Sequence, residues 1–172
     1  MNDNSIWYAL GIVVALAILF LISKSSFGSM PYERRNLLTK TEYAFWKVLQ
    51  EKADENHLRV CPKVRMEDFL AVNTKNERSK MSWRGRIKSR HIDFILCDMD
   101  LHIVAGVELD DNSHIYNKAT IKTDRFKDAV FQRINIPLFR ISVKKGNYGA
   151  QLDEMLTALK AYNKDSSKLK IR

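Results

Sequence analysis

Apolar and polar positions follow three rhythms along the chain. From Ile6 to Ser23 the sequence IWYALGIVVALAILFLIS carries no charge. A helix of that length covers about 27 Å, close to the hydrocarbon thickness of a bilayer. Trp7 and Tyr8 stand at its start, where an interfacial aromatic belt lies. The rivals are a buried core helix and a cleaved signal peptide. A signal peptide wants a basic n-region and a small-x-small cleavage site, whereas only Asp3 precedes this run and Lys24-Ser25-Ser26-Phe27 follows it. The pattern predicts an uncleaved transmembrane anchor over residues 1–23 and a Gly/Ser/Pro linker over 24–32.

Beyond the linker the helical and strand periods alternate. In LLTKTEYAFWKVLQEKA, Phe45, Trp46, Leu49 and Ala53 form an apolar stripe at helical spacing, and Thr39 with Glu42 forms a capping-box pattern. Leu58 to Val64 reads as a strand, placed at a sheet edge by Pro62. Met66 to Leu70 has no clear pattern. Lys75 to Arg90 lacks apolar periodicity and reads as a solvated loop. HIDFILC and LHIVAGVEL alternate as strands, Lys118 to Asn135 is an amphipathic basic helix, PLFRISV is a strand, and Gly149 to Tyr162 is a last helix. This order predicts one α/β domain over 33–162, a mixed central sheet of about four strands flanked by helices, and a disordered basic tail over 163–172.

Composition sharpens the picture. Six Gly and three Pro in 172 residues exclude collagen-like and low-complexity chains. Cys61 and Cys97 are too few for a disulfide scaffold, lack metal-ligand spacing, and read as small apolar residues. The formal charge is +9, and the apolar segment holds none of the basic residues. Lys24, Arg34, Arg35 and Lys40 all follow the span, so the positive-inside rule puts the N-terminus outside and the domain in the cytoplasm, on a cell inner membrane crossed once. So basic a cytoplasmic domain has two natural counterparts, nucleic acid and the anionic leaflet.

The chemistry lies in the paired strands. A two-residue turn at Met99-Asp100 puts Asp93 opposite Gly106 and makes Glu108 its diagonal neighbour on the same face, about 7–8 Å away. A slip of one residue would separate the two carboxylates onto opposite faces. An acid within a buried strand needs a partner, either a divalent cation or a Lys or Arg. Oxygen donors suit Mg²⁺ or Mn²⁺ better than zinc.

The pattern HIDFILCD…LHIVAGVELDDNSH, preceded by LLTKTEYAFW and followed by a basic helix and PLFRI, resembles the restriction-endonuclease-like fold of the PD-(D/E)xK nucleases. The branch it resembles is similar to very-short-patch repair endonucleases, and within it the domain of unknown function 2726. The likeness covers about residues 31–145. It implies that Asp93 and Glu108 ligate metal, with the Leu109 carbonyl as a further ligand. Asp110 stands where that superfamily usually has a lysine to position the attacking water. In this branch an aspartate followed by a histidine is tolerated, which makes His114 a candidate base. Glu42 matches an acidic position that often faces the site, and Arg140 a recurrent basic one. His91, next to Asp93, is the other histidine of interest.

Arg84, Arg86, Lys88 and Arg90 in the Trp83-bearing basic segment, with Lys122 and Arg125 on the following helix, are candidates for holding phosphates. Their bland reading is a solvated face or a contact with anionic lipid. The expectation is a membrane-anchored, Mg²⁺- or Mn²⁺-dependent nuclease cleaving DNA rather than RNA. A catalytically inactive nucleic-acid-binding module of the same fold and a membrane-tethered interaction protein are the alternatives.

Overall fold

A computed structural model of the chain describes residues 3–26, 30–110 and 118–169. It separates into two compact units, residues 1–36 and 37–172. In the first, helix α1 (Asp3–Ser26) is the one described helix long and apolar enough to cross a membrane, over Asn4–Ile22. It contains the whole uncharged run from Ile6 to Ser23.

The second unit runs α2 (Lys40–Glu55), β1 (Arg59–Arg65), α3 (Met66–Phe69), α4 (Glu77–Ile87), β2 (His91–Cys97), β3 (Ile103–Asp110), α5 (Lys118–Arg133), β4 (Leu138–Ser142) and α6 (Tyr148–Leu169). The four strands form one sheet in the order β1-β2-β3-β4. β1 to β3 are antiparallel and β4 runs parallel to β3, so the sheet is mixed as expected. β1 is an edge strand, consistent with Pro62, which has no amide to donate to a ladder.

Both faces of the sheet are covered. Phe94, Leu96, Ala105 and Val107 pack with Phe45 and Leu49 of α2 and Leu152 and Met155 of α6. The alternate positions Ile95 and Cys97 join Met66, Ile87 and Phe131 in a second core. Burial pushes the Cys97 thiol up to about 11, helped by neighbouring Cys61, and both cysteines are free.

The β2–β3 register differs from the expected one. The loop holds three residues, Met99 to Leu101, closed by the Asp98 amide donating to the His102 carbonyl at 2.9 Å. Leu101 takes the left-handed conformation at φ 65°, and Asp98 Oδ1 accepts from the amides of Asp100 and His102. A two-residue loop needs left-handed residues that Met99-Asp100 does not favour; a three-residue loop needs one. A bulge between Leu96 and Cys97 then adds a second extra residue on β3. Phe94 therefore faces Val107, which sets Asp93 directly beside Glu108 instead of opposite Gly106. The two single-residue slips cancel in parity, so the carboxylates keep a common face.

Two further expectations are corrected. Lys75–Arg90 is not a loop throughout, because α4 occupies Glu77–Ile87. The Asn76 side chain caps it by accepting the Ser79 amide, and Glu77 at its start and Arg84 and Arg86 at its end suit the helix dipole. The tail is not disordered from 163 onward, since α6 continues to Leu169. The segment Met66–Leu70 contains the short helix α3.

Gly106 is the position where a side chain cannot be added. A Cβ there would lie 2.6 Å from Phe131 Cε1 and 2.8 Å from Leu138 Cδ1. Gly106→Ala is expected to destabilise the domain by about 2 kcal/mol through overpacking, read as a lowered thermal midpoint. An unchanged midpoint would mean that the Phe131 ring does not rest on β3.

Candidate functional site

One transverse row of the sheet carries the charge. Lys63, between the paired positions Pro62↔Phe94 and Val64↔Ile92, stands opposite Asp93; Asp93 stands beside Glu108, and Glu108 pairs with Arg140. The row crosses all four strands. Lys63 takes a left-handed backbone at φ 54°, which costs a side-chain-bearing residue about 1 kcal/mol or more. Strain of that kind persists only where surrounding contacts hold it.

Those contacts are carboxylates. Lys63 Nζ donates to Glu42 Oε1 at 2.6 Å and to Asp93 Oδ1 at 2.7 Å. The other Asp93 oxygen accepts the Leu109 amide at 3.1 Å. Glu42 Oε2 accepts the Thr39 amide at 2.8 Å, completing the capping box of α2. Glu42 is thus both a cap and a member of the row's network. On the next strand Lys127 Nζ of α5 donates to Glu108 Oε1 at 2.7 Å, and Lys127 is only 9% exposed.

The protonation equilibria follow this packing. Burial works against the Lys63 ammonium, but its hydrogen bonds to Asp93 and Glu42 outweigh it and hold the pKa above the ordinary lysine value. Burial pushes Glu42 up, yet Lys63 and the cap bonds of Thr39 bring it below the usual carboxylate value. Glu108 is pushed up by burial against the pull of Lys127, and the charge of Asp93 pushes the same way. His91 Nε2 lies 3.8 Å from Asp93 Oδ1; burial first and Lys63 second lower its pKa and favour the neutral ring.

The geometry brings Glu42, Asp93, Glu108 and His91 together and leaves Asp110 apart. Asp110 is the exposed last residue of β3, its carbonyl accepting the Val143 amide at 3.0 Å. Leu109 touches the network through its amide. His114 lies outside the described residues. Arg140 ties β4 to α5, meeting Asp128 at 3.0 Å and Asp124 at 3.8 Å. Among the described residues no three His, Cys, Asp or Glu side chains form a metal-binding group.

Of the basic residues, Arg84 pairs with Glu67 of α3. Arg86 lies over the Trp83 ring at 4.2 Å, and Arg90 lies over Phe126 at 4.9 Å. Lys88, Lys122 and Arg125 are exposed.

The sequence reading left out Lys63 and did not tie Lys127 to Glu108, although these are the two cations that bond the carboxylates. Lys127 had a usable signal: it stands on the Phe126, Val130, Phe131 and Ile134 side of its helix, where an apolar residue is expected. Lys63 had none, since its partners lie 21 and 30 residues away.

Glu108 binds its proton more tightly in the folded domain than in the unfolded chain. Its contribution to stability therefore falls as pH rises above its ordinary value of 4.5. Removing Lys127 steepens that fall. Lys127→Met is expected to cost about 3 kcal/mol near neutral pH and distinctly less in mildly acidic buffer, measured by urea denaturation. Equal losses at the two pH values would mean that Lys127 does not neutralise Glu108.

No curated protein and no solved structure matches the chain. A family model matches residues 34–159, the greater part of the sequence and all four strands of the sheet. The chain belongs to the family described as Protein of unknown function (DUF2726).

Proposed function

We propose that the domain is a metal-dependent phosphodiesterase of restriction-endonuclease-like, PD-(D/E)xK type that acts on DNA and is held at the cytoplasmic face of an inner membrane by α1. The observation that carries this reading is the charge balance of the row. Three carboxylates, Glu42, Asp93 and Glu108, share two ammonium groups, Lys63 and Lys127, while the row's other cation, Arg140, is drawn to Asp124 and Asp128, inside a chain of formal charge +9. Surplus negative charge, partly buried in an otherwise basic protein, favours a cation.

The donor chemistry fits a hard divalent ion. Asp93 and Glu108 supply carboxylate oxygens from adjacent strands and Leu109 a backbone carbonyl, which suits Mg²⁺ or Mn²⁺ with its remaining positions filled by water and phosphate. When bound, such an ion activates water and neutralises charge developing on a phosphodiester. The protein's own part is positioning. Lys127 and Lys63 hold the two carboxylates in place and supply the positive charge that Asp110, standing at the usual lysine position, cannot. Neutral His91 at the rim of the row, and His114 in the undescribed segment, can accept a proton. Lys122 and Arg125, with the basic residues of α4, hold the phosphate backbone.

The second reading, a nucleic-acid-binding module without turnover, draws on a specific observation too. Both carboxylates already have lysine partners, and no third ligating side chain joins them among the described residues.

The test is cleavage of plasmid and oligonucleotide DNA by the full chain in neutral detergent with Mg²⁺ or Mn²⁺, beside calorimetric Mn²⁺ binding. Asp93→Asn and Glu108→Gln are each expected to reduce cleavage at least about a hundredfold while leaving the circular dichroism spectrum unchanged. Undiminished cleavage in either variant overturns the catalytic assignment. Salt-sensitive DNA binding that ignores the metal and survives Glu108→Gln establishes the second reading instead.

A further inference from the structure

Helix α4 does little to earn its place by packing. Ile87 is its one buried residue, Gly85 interrupts it, and at 11 residues it is shorter than helices that persist alone in water. Its surface carries Arg78, Lys80, Arg84 and Arg86 against one acid, Glu77, and Lys88 follows at its C-cap. Arg84 is tied to Glu67, and Lys80 lies 3.6 Å from Glu77. Arg78 and Lys88 make no ion pair among the described residues. A helix so poorly buried and so strongly cationic would be stabilised by a polyanion laid against it.

Two apolar side chains stand among these cations. Met81 is 74% exposed and Trp83 46% exposed. A helix that inserts into a lipid surface gathers its apolar residues on one face. Met81 and Trp83 are two positions apart, about 200° around the helix axis, so they cannot enter one bilayer surface together. A nucleic-acid strand places no such demand. It needs cations for the backbone and an accessible aromatic ring on which an unpaired base can stack. Trp83 offers that ring, with the Arg86 guanidinium already lying over it at 4.2 Å to the centroid. Arg90, three residues past Ile87 and with its guanidinium over Phe126, joins α4 directly to β2, the strand that carries Asp93.

We propose that α4 is a docking surface for unpaired nucleic-acid strand, with Trp83 as the stacking platform and Arg86, about 60° from it around the helix, as the backbone contact beside it. This deepens the proposed function and rests on its nucleic-acid reading. It narrows the substrate class to nucleic acid with a single-stranded stretch.

The test is fluorescence anisotropy of a labelled oligothymidylate and of a labelled duplex, using the full chain in neutral detergent with chelator present, so that cleavage plays no part. Trp83→Ala is expected to weaken oligothymidylate binding about tenfold and to leave duplex binding nearly unchanged. Trp83→Phe, which keeps a ring, restores most of the loss. Arg86→Ala weakens both ligands. Asp93→Asn, made in the parent and in Trp83→Ala alike, keeps the Trp83-dependent difference between oligothymidylate and duplex, which separates failure of the carboxylate site from failure of this surface. No loss in Trp83→Ala, or equal loss on both ligands, overturns the proposal. So does a blue shift of Trp83 emission, in a Trp7→Phe, Trp46→Phe background, on anionic but not neutral bilayer discs without quenching by the oligonucleotide; that result assigns the helix to lipid.

Discussion

Neutralising two acids on the central strands is the constraint around which this domain is arranged. The sheet is covered on both faces, so Asp93 and Glu108 have little water to solvate them, and an unpaired buried carboxylate costs several kcal/mol, of the order that unfolds a small domain. Lys63 meets that demand from within the row and Lys127 from α5. Lys63 does so from an edge strand with a strained backbone, and in reaching Asp93 it also catches Glu42 at the start of α2. Lys127 does so from α5, the crossover that makes β4 parallel to β3. The charge network therefore joins α2, β1, β2, β3 and α5. Apolar packing alone leaves freedom in how these elements meet, and the ion pairs remove it.

How much of this is legible along the chain depends on whether a signal is local. The capping box of Thr39 and Glu42, the apolar stripe of α2 and the alternation of β2 and β3 are written within a few residues, and each appears in the fold. The carboxylate pair was legible by face and not by register. Face depends only on parity, and the third loop residue and the bulge each shift the strands by one, so parity survived while the neighbour of Asp93 changed. The α4 helix was hidden for the opposite reason: periodicity reports burial, and a helix that buries only Ile87 has almost none to report. Its remaining signal was the Asn76 cap. The lysine partners were beyond local reading because their positions are set by the closed sheet and the crossover helix.

The distribution of charge gives this arrangement a direction. Outside the row the domain is strongly basic, and the described basic residues of α4 and α5 are largely exposed, so a polyanion is drawn to the surface at long range. Inside the row acids outnumber ammonium groups, so a phosphate drawn in meets repulsion at short range. A molecule built only to hold nucleic acid has no evident use for that inner repulsion, since replacing Asp93 and Glu108 by apolar residues would free both lysines for phosphate. The repulsion would become useful if a divalent cation came with the phosphate, since Asp93 and Glu108 would hold that ion and it would supply the positive charge the phosphate needs there. In that view the two lysines serve as resident counter-ions that keep the acids folded in the cation's absence, and the readings of nuclease and of silent binding module differ in one physical respect. In the first, Lys63 and Lys127 would release carboxylate oxygens when a metal is held; in the second, they would keep them.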